Sequence, residues 1–214
     1  MERTKAGITS YLSLLLASML FVMGFSNLSY ASTTIYTNES SFLSAINSDY
    51  YLENFPGWVF GAPLDSAPLT YNSSTVNGYS WQASAPSGLY SLDNGISTWY
   101  GGDPLIINFT GNPVTAVGAV FAATSDIGST RDENIGVLLN DNTGYSFTGS
   151  SFVGFVSTTP ITSLTVGVSS GTTYPAAYHF YTGSAAPVPI PAAAWLLGSG
   201  LMGLVGMKRR FFRA

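Results

Sequence analysis

The sequence predicts an all-β body, an antiparallel β-sandwich with one short helix near its start. Three observations carry that reading. Short runs rich in Val, Ile, Thr, Phe and Tyr follow one another between residues 33 and 181. Asn-Pro, Asn-Gly, Gly-Gly and Ser-Gly pairs punctuate them as turns. The stretch that contains them, residues 32–184, has the size of one domain and no fixed-period repeat.

Taken in order, the first strand is expected at 33–36. A helix follows at 39–46, where Asn38 can cap the first turn and Phe42, Leu43 and Ile46 share a face. Further strands are expected at 69–71, 78–83, 88–92, 105–109, 116–122, 135–139, 144–147, 152–156, 163–168 and 178–181. The run Val114-Thr115-Ala116-Val117-Gly118-Ala119-Val120-Phe121 is nearly continuous in apolar residues, as a central strand is. Ser163-Leu164-Thr165-Val166-Gly167-Val168 alternates, so one of its faces is wet. Ser184 to Pro187 lacks bulk and reads as an extended, accessible connector.

The two ends are of another kind. Arg3 and Lys5 open the chain, an apolar run from Tyr11 to Phe25 follows, and Ser29-Tyr30-Ala31 places small residues at the −3 and −1 positions of a cleavage site. That is the three-part layout of a secretory signal peptide over residues 1–31, with the mature chain starting at Ser32. The alternative is an uncleaved anchor. At the other end, residues 185–190 form a linker and motif, 191–207 an uncharged apolar segment, and 208–214 a basic tail with Lys208, Arg209, Arg210 and Arg213. As a helix the apolar segment spans roughly 26 Å at about 1.5 Å per residue. That is near the ~30 Å of bilayer hydrocarbon, so a single transmembrane helix is expected. Under the positive-inside rule the basic tail stays cytoplasmic and the body lies on the far side, where the signal peptide sends it.

Six of the seven Lys and Arg residues sit in these ends. Arg131 alone faces ten Asp and Glu in the body, a formal charge of −9. A body so acidic cannot neutralise phosphates, which excludes nucleic acid as a partner. Cysteine is absent, so thiol catalysis, disulfides and Cys-rich metal sites are excluded.

The C-terminus resembles the PEP-CTERM sorting domain of Gram-negative bacteria in its Val-Pro-x-Pro-Ala variant. The matching residues are Val188, Pro189, Pro191 and Ala192, the run Trp195-Leu196-Leu197-Gly198-Ser199-Gly200-Leu201, and the pair Arg209-Arg210. Ile190 holds the place where the eponymous motif has Glu. The resemblance implies four things: export through the translocon, transient anchoring in the inner membrane, processing by an exosortase-like membrane transpeptidase, and a final place at the cell surface or in an exopolysaccharide matrix. The departure at Ile190 implies a different subclass of sorting enzyme. An anchor that nothing processes is the alternative. More loosely, residues 100–170 resemble the jelly-roll bodies that carry such tails.

No catalytic constellation stands out. His179, the only histidine, lies in an expected strand, and no nucleophile elbow or phosphate loop is present. Calcium is the one candidate cofactor. Asp126, Asp132, Glu133 and Asp141 gather in a turn-rich stretch that matches no EF-hand loop, with Arg131 among them. For sugar binding the candidates are Trp99, Tyr100 and Asp103, next to Gly101-Gly102, whereas Trp81 in a strand reads as core. The expectation is a non-catalytic exported surface or matrix protein that binds exopolysaccharide. A secreted carbohydrate-active enzyme on the same scaffold, and a structural polymer component without ligand, are the alternatives.

Overall fold

The computed structural model describes residues 32–187 and 199–200. The signal segment, the motif Val188–Ala192, most of the apolar segment and the basic tail therefore lie outside the described residues. Ser29 and Ala31 of the cleavage site lie outside too, while Ser32 is described. The chain divides into two units, Met1–Ser32 and Thr33–Ala214, and the second holds the fold. Among the described residues no helix is long and apolar enough to cross a membrane.

The second unit is an all-β sandwich of two antiparallel sheets. Its strands are β1 (Thr33–Tyr36), β2 (Tyr51–Glu53), β3 (Thr70–Asn72), β4 (Trp81–Ser84), β5 (Leu89–Leu92), β6 (Gly95–Thr98) and β7 (Leu105–Phe109). Then follow β8 (Val114–Thr124), β9 (Thr130–Arg131), β10 (Asn134–Leu139), β11 (Gly144–Thr148), β12 (Ser150–Ile161), β13 (Ser163–Val168) and β14 (Tyr174–Gly183). The one described helix with an assigned range, α1, is Glu39–Leu43. The larger sheet runs β1-β12-β8-β14-β6-β5, with β2 on β14 and β9 on β8. The smaller runs β11-β10-β13-β7-β4-β3.

The two periodicities seen in the sequence have their causes here. β13 buries Leu164 and Val166 and leaves Ser163 and Thr165 half-exposed, because only one face of its sheet is covered. β8 is buried on both faces. Val117, Ala119, Phe121 and Ala123 enter the core between the sheets. Ala116, on the opposite face, packs with Phe42, Ile46, Phe152 and Tyr181 in a smaller cluster. Gly118 and Gly154 are paired across β8 and β12. A Cβ on Gly154 would lie 2.5 Å from the Phe42 ring, and one on Gly118 would lie 3.1 Å from it. Two glycines thus make the trough that seats the helix.

Asn38 caps that helix as the sequence predicts, its side-chain oxygen accepting from Ser41 N–H at 3.0 Å. The helix stops at Leu43 instead of running to Ile46, because residues 45–47 turn to pair with the end of the domain. Ala186 N–H donates to Ala45 C=O and Asn47 N–H to Ser184 C=O, both at 2.9 Å. Ala185 N–H donates to Thr115 Oγ1 at 2.8 Å. The expectation of a wholly accessible connector is corrected here: Ser184–Ala186 are docked and half-buried, and only Pro187 is exposed.

Trp81 is core, 1% exposed, ringed by Phe55, Tyr71 and Phe180. β14 spans the sandwich from Tyr174, opposite Thr124, to Gly183, opposite Ala116. Its ends are roughly 30 Å apart at about 3.3 Å per residue. The row Thr34, Val156, Ala116, Gly183 crosses four strands. The first strand and the C-terminal exit therefore share one pole, about 14 Å apart at ~4.8 Å per strand.

Candidate functional site

Two cavities open at the other pole, around the start of β14. The first, about 280 Å³, is walled by Phe60, Tyr90 and Trp99, with Ser97, Thr98 and Asp126 among its polar lining. The second, about 630 Å³, includes Tyr100, Asp126, Arg131, Glu133 and Thr172 in its lining. Ser125, Asp126 and Tyr174 belong to both, so the two adjoin. Together they reach the size of sites that take small organic ligands, roughly 300–1,000 Å³.

Each wall has a local cause. Tyr90 projects from β5 and stands edge-on between Phe60 and Trp99, at centroid distances of 5.0 and 5.2 Å. Phe60 is placed by its own N–H, which donates to Asp93 Oδ1 at 2.8 Å. Trp99 leaves β6 with its N–H donating to Gly88 C=O at 2.8 Å. The Gly101-Gly102 turn that follows is obligatory. A Cβ on Gly101 would lie 2.6 Å from the Gly171 carbonyl, and Gly102 has φ +78. Thr98 Oγ1 donates to Tyr100 C=O at 2.9 Å, and Gly102 N–H to Thr173 C=O at 2.9 Å. Trp99 and Tyr100 remain 36% and 59% exposed, although the backbone that carries them is held by these bonds.

The acidic wall comes from the hairpin between β8 and β9. Ser125 N–H donates to Ser129 C=O at 2.8 Å. Its hydroxyl accepts from Ser129 N–H at 3.2 Å, which fixes the loop on whose tip Asp126 is exposed. Arg131 follows from β9, opposite Ala123. Glu133 accepts from the Ser169 hydroxyl at 3.3 Å.

Of the sugar-binding candidates, Trp99 lines the first cavity and Tyr100 the second. Asp103 lines neither; its carboxylate accepts from Ser87 N–H at 3.0 Å and fixes a turn. The calcium set is dispersed. Among the described residues no three acidic or histidine side chains gather as metal ligands. Asp141 closes its own turn, accepting from Thr143 N–H at 2.8 Å and from the Thr33 hydroxyl at 3.4 Å. Slight burial alone would raise its carboxyl pKa, but these hydrogen bonds outweigh it and hold the group below its ordinary value. Asp132 lies near Gly149, and only Asp126 and Glu133 meet in a cavity.

His179 lines neither cavity; it is exposed at a bulge in β14 with φ +46. Sequence reasoning did not join Phe60, Tyr90, Asp126 and Tyr174 to Trp99. They come from four separated segments, and only the folded sheet brings them to one end. Compared with known proteins, the chain matches no family model, no curated protein and no solved structure.

Proposed function

We propose that the chain is an exported, non-catalytic protein of a Gram-negative cell surface or extracellular matrix, and that its jelly-roll-like body binds exopolysaccharide in the double cleft. The export reading rests on the residues of the two ends. The signal peptide is cut before Ser32, the apolar segment 191–207 is held in the inner membrane, and an exosortase-like transpeptidase acts at Val188–Ala192. The binding reading rests on a single observation: two large aromatic rings, Trp99 and Tyr100, stay exposed in a cleft lined with hydroxyls and carboxylates. Aromatic faces cover the apolar faces of sugar rings, while Ser, Thr and Asp side chains take up their hydroxyls.

Two measurements test it. Binding of neutral and amino-sugar oligosaccharides to the full-length chain in detergent should be saturable, and Trp99→Ala should weaken it at least about tenfold, ~1.4 kcal/mol. No binding to any member of a broad glycan panel defeats this half. For sorting, replacing Pro189 and Pro191 should leave export intact while uncut protein accumulates in the inner membrane. Unchanged processing in that variant removes the motif from the account.

A second reading, a carbohydrate-active enzyme, draws on Asp126 and Glu133 sharing the second cavity, since glycoside hydrolysis uses a pair of carboxylates. Turnover of a polysaccharide by the wild-type chain, lost in Glu133→Gln, would favour it over binding alone.

A further inference from the structure

We infer that the ligand of the double cleft is a polysaccharide carrying free amines, bound with an amine at Asp126; this rests on the glycan-binding reading above. Three observations lead there.

The first is continuity. The two cavities meet at Ser125, Asp126 and Tyr174, and aromatic rings lie on both sides of that seam, Trp99 on one and Tyr100 on the other. Such a shape fits a chain of sugars running past Asp126 better than one sugar in a closed pit.

The second is charge. Arg131 is the only Lys or Arg in residues 32–187, against ten acids. The cleft itself holds Asp126, Glu133 and Arg131, a net charge of −1. A polymer of uronic acids would meet repulsion from the cleft and from the surface around it. A neutral chain would meet neither attraction nor repulsion. A polyamine chain would be drawn in.

The third is the state of Asp126. It is exposed, and its carboxylate has no hydrogen-bond partner among the described residues. Glu133 and Asp103, by contrast, are already engaged by Ser169 and Ser87. An ammonium group at the seam would find a carboxylate free to accept, in a cavity that Trp99 and Tyr174 also line, and aromatic rings favour a cation.

The test compares oligomers of equal length made of glucosamine, N-acetylglucosamine, glucose and a uronic acid, titrated into the full-length chain in detergent. The glucosamine oligomer should bind at least about tenfold tighter than its acetylated counterpart. That margin should shrink when salt is raised until the Debye length falls to about 3 Å. Asp126→Asn should erase the margin while leaving the weaker binding of the neutral oligomers. Asp49→Asn, at an exposed acid outside the cleft, should keep it. Equal binding of the amino and acetylated oligomers, tightest binding of the uronate, or a margin that survives Asp126→Asn overturns the inference and leaves the glycan-binding reading standing. Failure of all four oligomers to bind also overturns the inference, and the broad glycan panel then decides the glycan-binding reading on its own.

Discussion

The side-chain amide of Asn47 donates to the hydroxyl of Ser184 at 2.8 Å, across 137 residues of sequence. The backbone of the same residue donates to Ser184 C=O, and its amide reaches Ala185 C=O at 3.4 Å. Asn47, four residues past the end of α1, thus clasps Ser184 and Ala185, just ahead of the motif at Val188.

Asn47→Ala should release that clasp. The loss of part-buried hydrogen bonds predicts a cost of about 1–2 kcal/mol in stability. Hydrogen exchange at the Ala186 amide should accelerate, and a protease should reach Ser184–Pro187. An Ala186 amide as protected in the variant as in the parent would mean that Asn47 is a bystander.

The trough under Phe42 predicts a larger effect. Gly154→Ala would put a methyl group 2.5 Å from the ring, so that the ring or the backbone must shift. Overpacking of that kind costs roughly 1–3 kcal/mol, whereas Phe42→Ala would leave a cavity worth about 3–5 kcal/mol. In the double variant the methyl partly fills the cavity, so the two costs should add to less than their sum. Denaturant titration of all three proteins measures the coupling. Simple additivity would mean that the glycine does not seat the ring.

The fold should fail in alkali while tolerating ordinary pH. Burial pushes the Tyr178 phenol up to about 12, helped by the nearby carboxylate of Asp93. Tyr51, Tyr71 and Tyr181 are also raised, first by burial. The next cause is a carboxylate: Glu53 for Tyr51 and Tyr71, Glu39 for Tyr181. Tyr51 donates to Glu53 and Tyr181 to Glu39, bonds that exist only while the phenols keep their protons. In each case the folded state holds the proton more tightly than the unfolded chain, whose phenols titrate near 10. Their contribution is therefore complete below pH ~10 and is lost as pH climbs toward the folded values. Thermal melts should show stability falling from about pH 10 upward, with tyrosinate absorbance of these residues appearing only as the protein unfolds. Full ionisation of all tyrosines near pH 10 in a folded protein contradicts the prediction.

Gly101→Ala should separate binding from folding. Its methyl group would strike the Gly171 carbonyl and displace the turn that carries Trp99 and Tyr100. The turn lies at the surface, so global stability should fall by no more than about 1–3 kcal/mol. Oligosaccharide affinity should drop about as far as in Trp99→Ala. Wild-type affinity in Gly101→Ala would mean that the rings do not need that turn.

Much of the sandwich was legible because its strands advertise themselves. The bounds expected at 33–36, 105–109 and 163–168 coincide with β1, β7 and β13, whose ends carry turn residues. β2, β6 and β9 were not foreseen. β2 is three residues long and owes its shape to Phe180, Tyr181 and Thr182 alongside it. β6 opens on Gly95, which reads as half of an Asn-Gly turn. It must be glycine because the Tyr178 ring lies over it, and all four of its residues are buried, so no alternation marks it. β9 is two residues on β8. The site was half legible: exposed aromatics before a Gly-Gly pair marked Trp99 and Tyr100. Asp103 misled because a carboxylate looks the same in sequence whether it awaits a ligand or closes a turn.

The direction of β14 separates the two ends of the domain. Its last residue, Gly183, leads to the C-terminal exit, and its first, Tyr174, sits in the cleft, a full sandwich length away. Under the proposed sorting, a carboxyl-terminal tether and a ligand in the aromatic cleft therefore use opposite ends of the domain and do not compete for one surface. A polymer strand could be gripped before the tether is severed as readily as afterwards, so capture and detachment need no shared timetable.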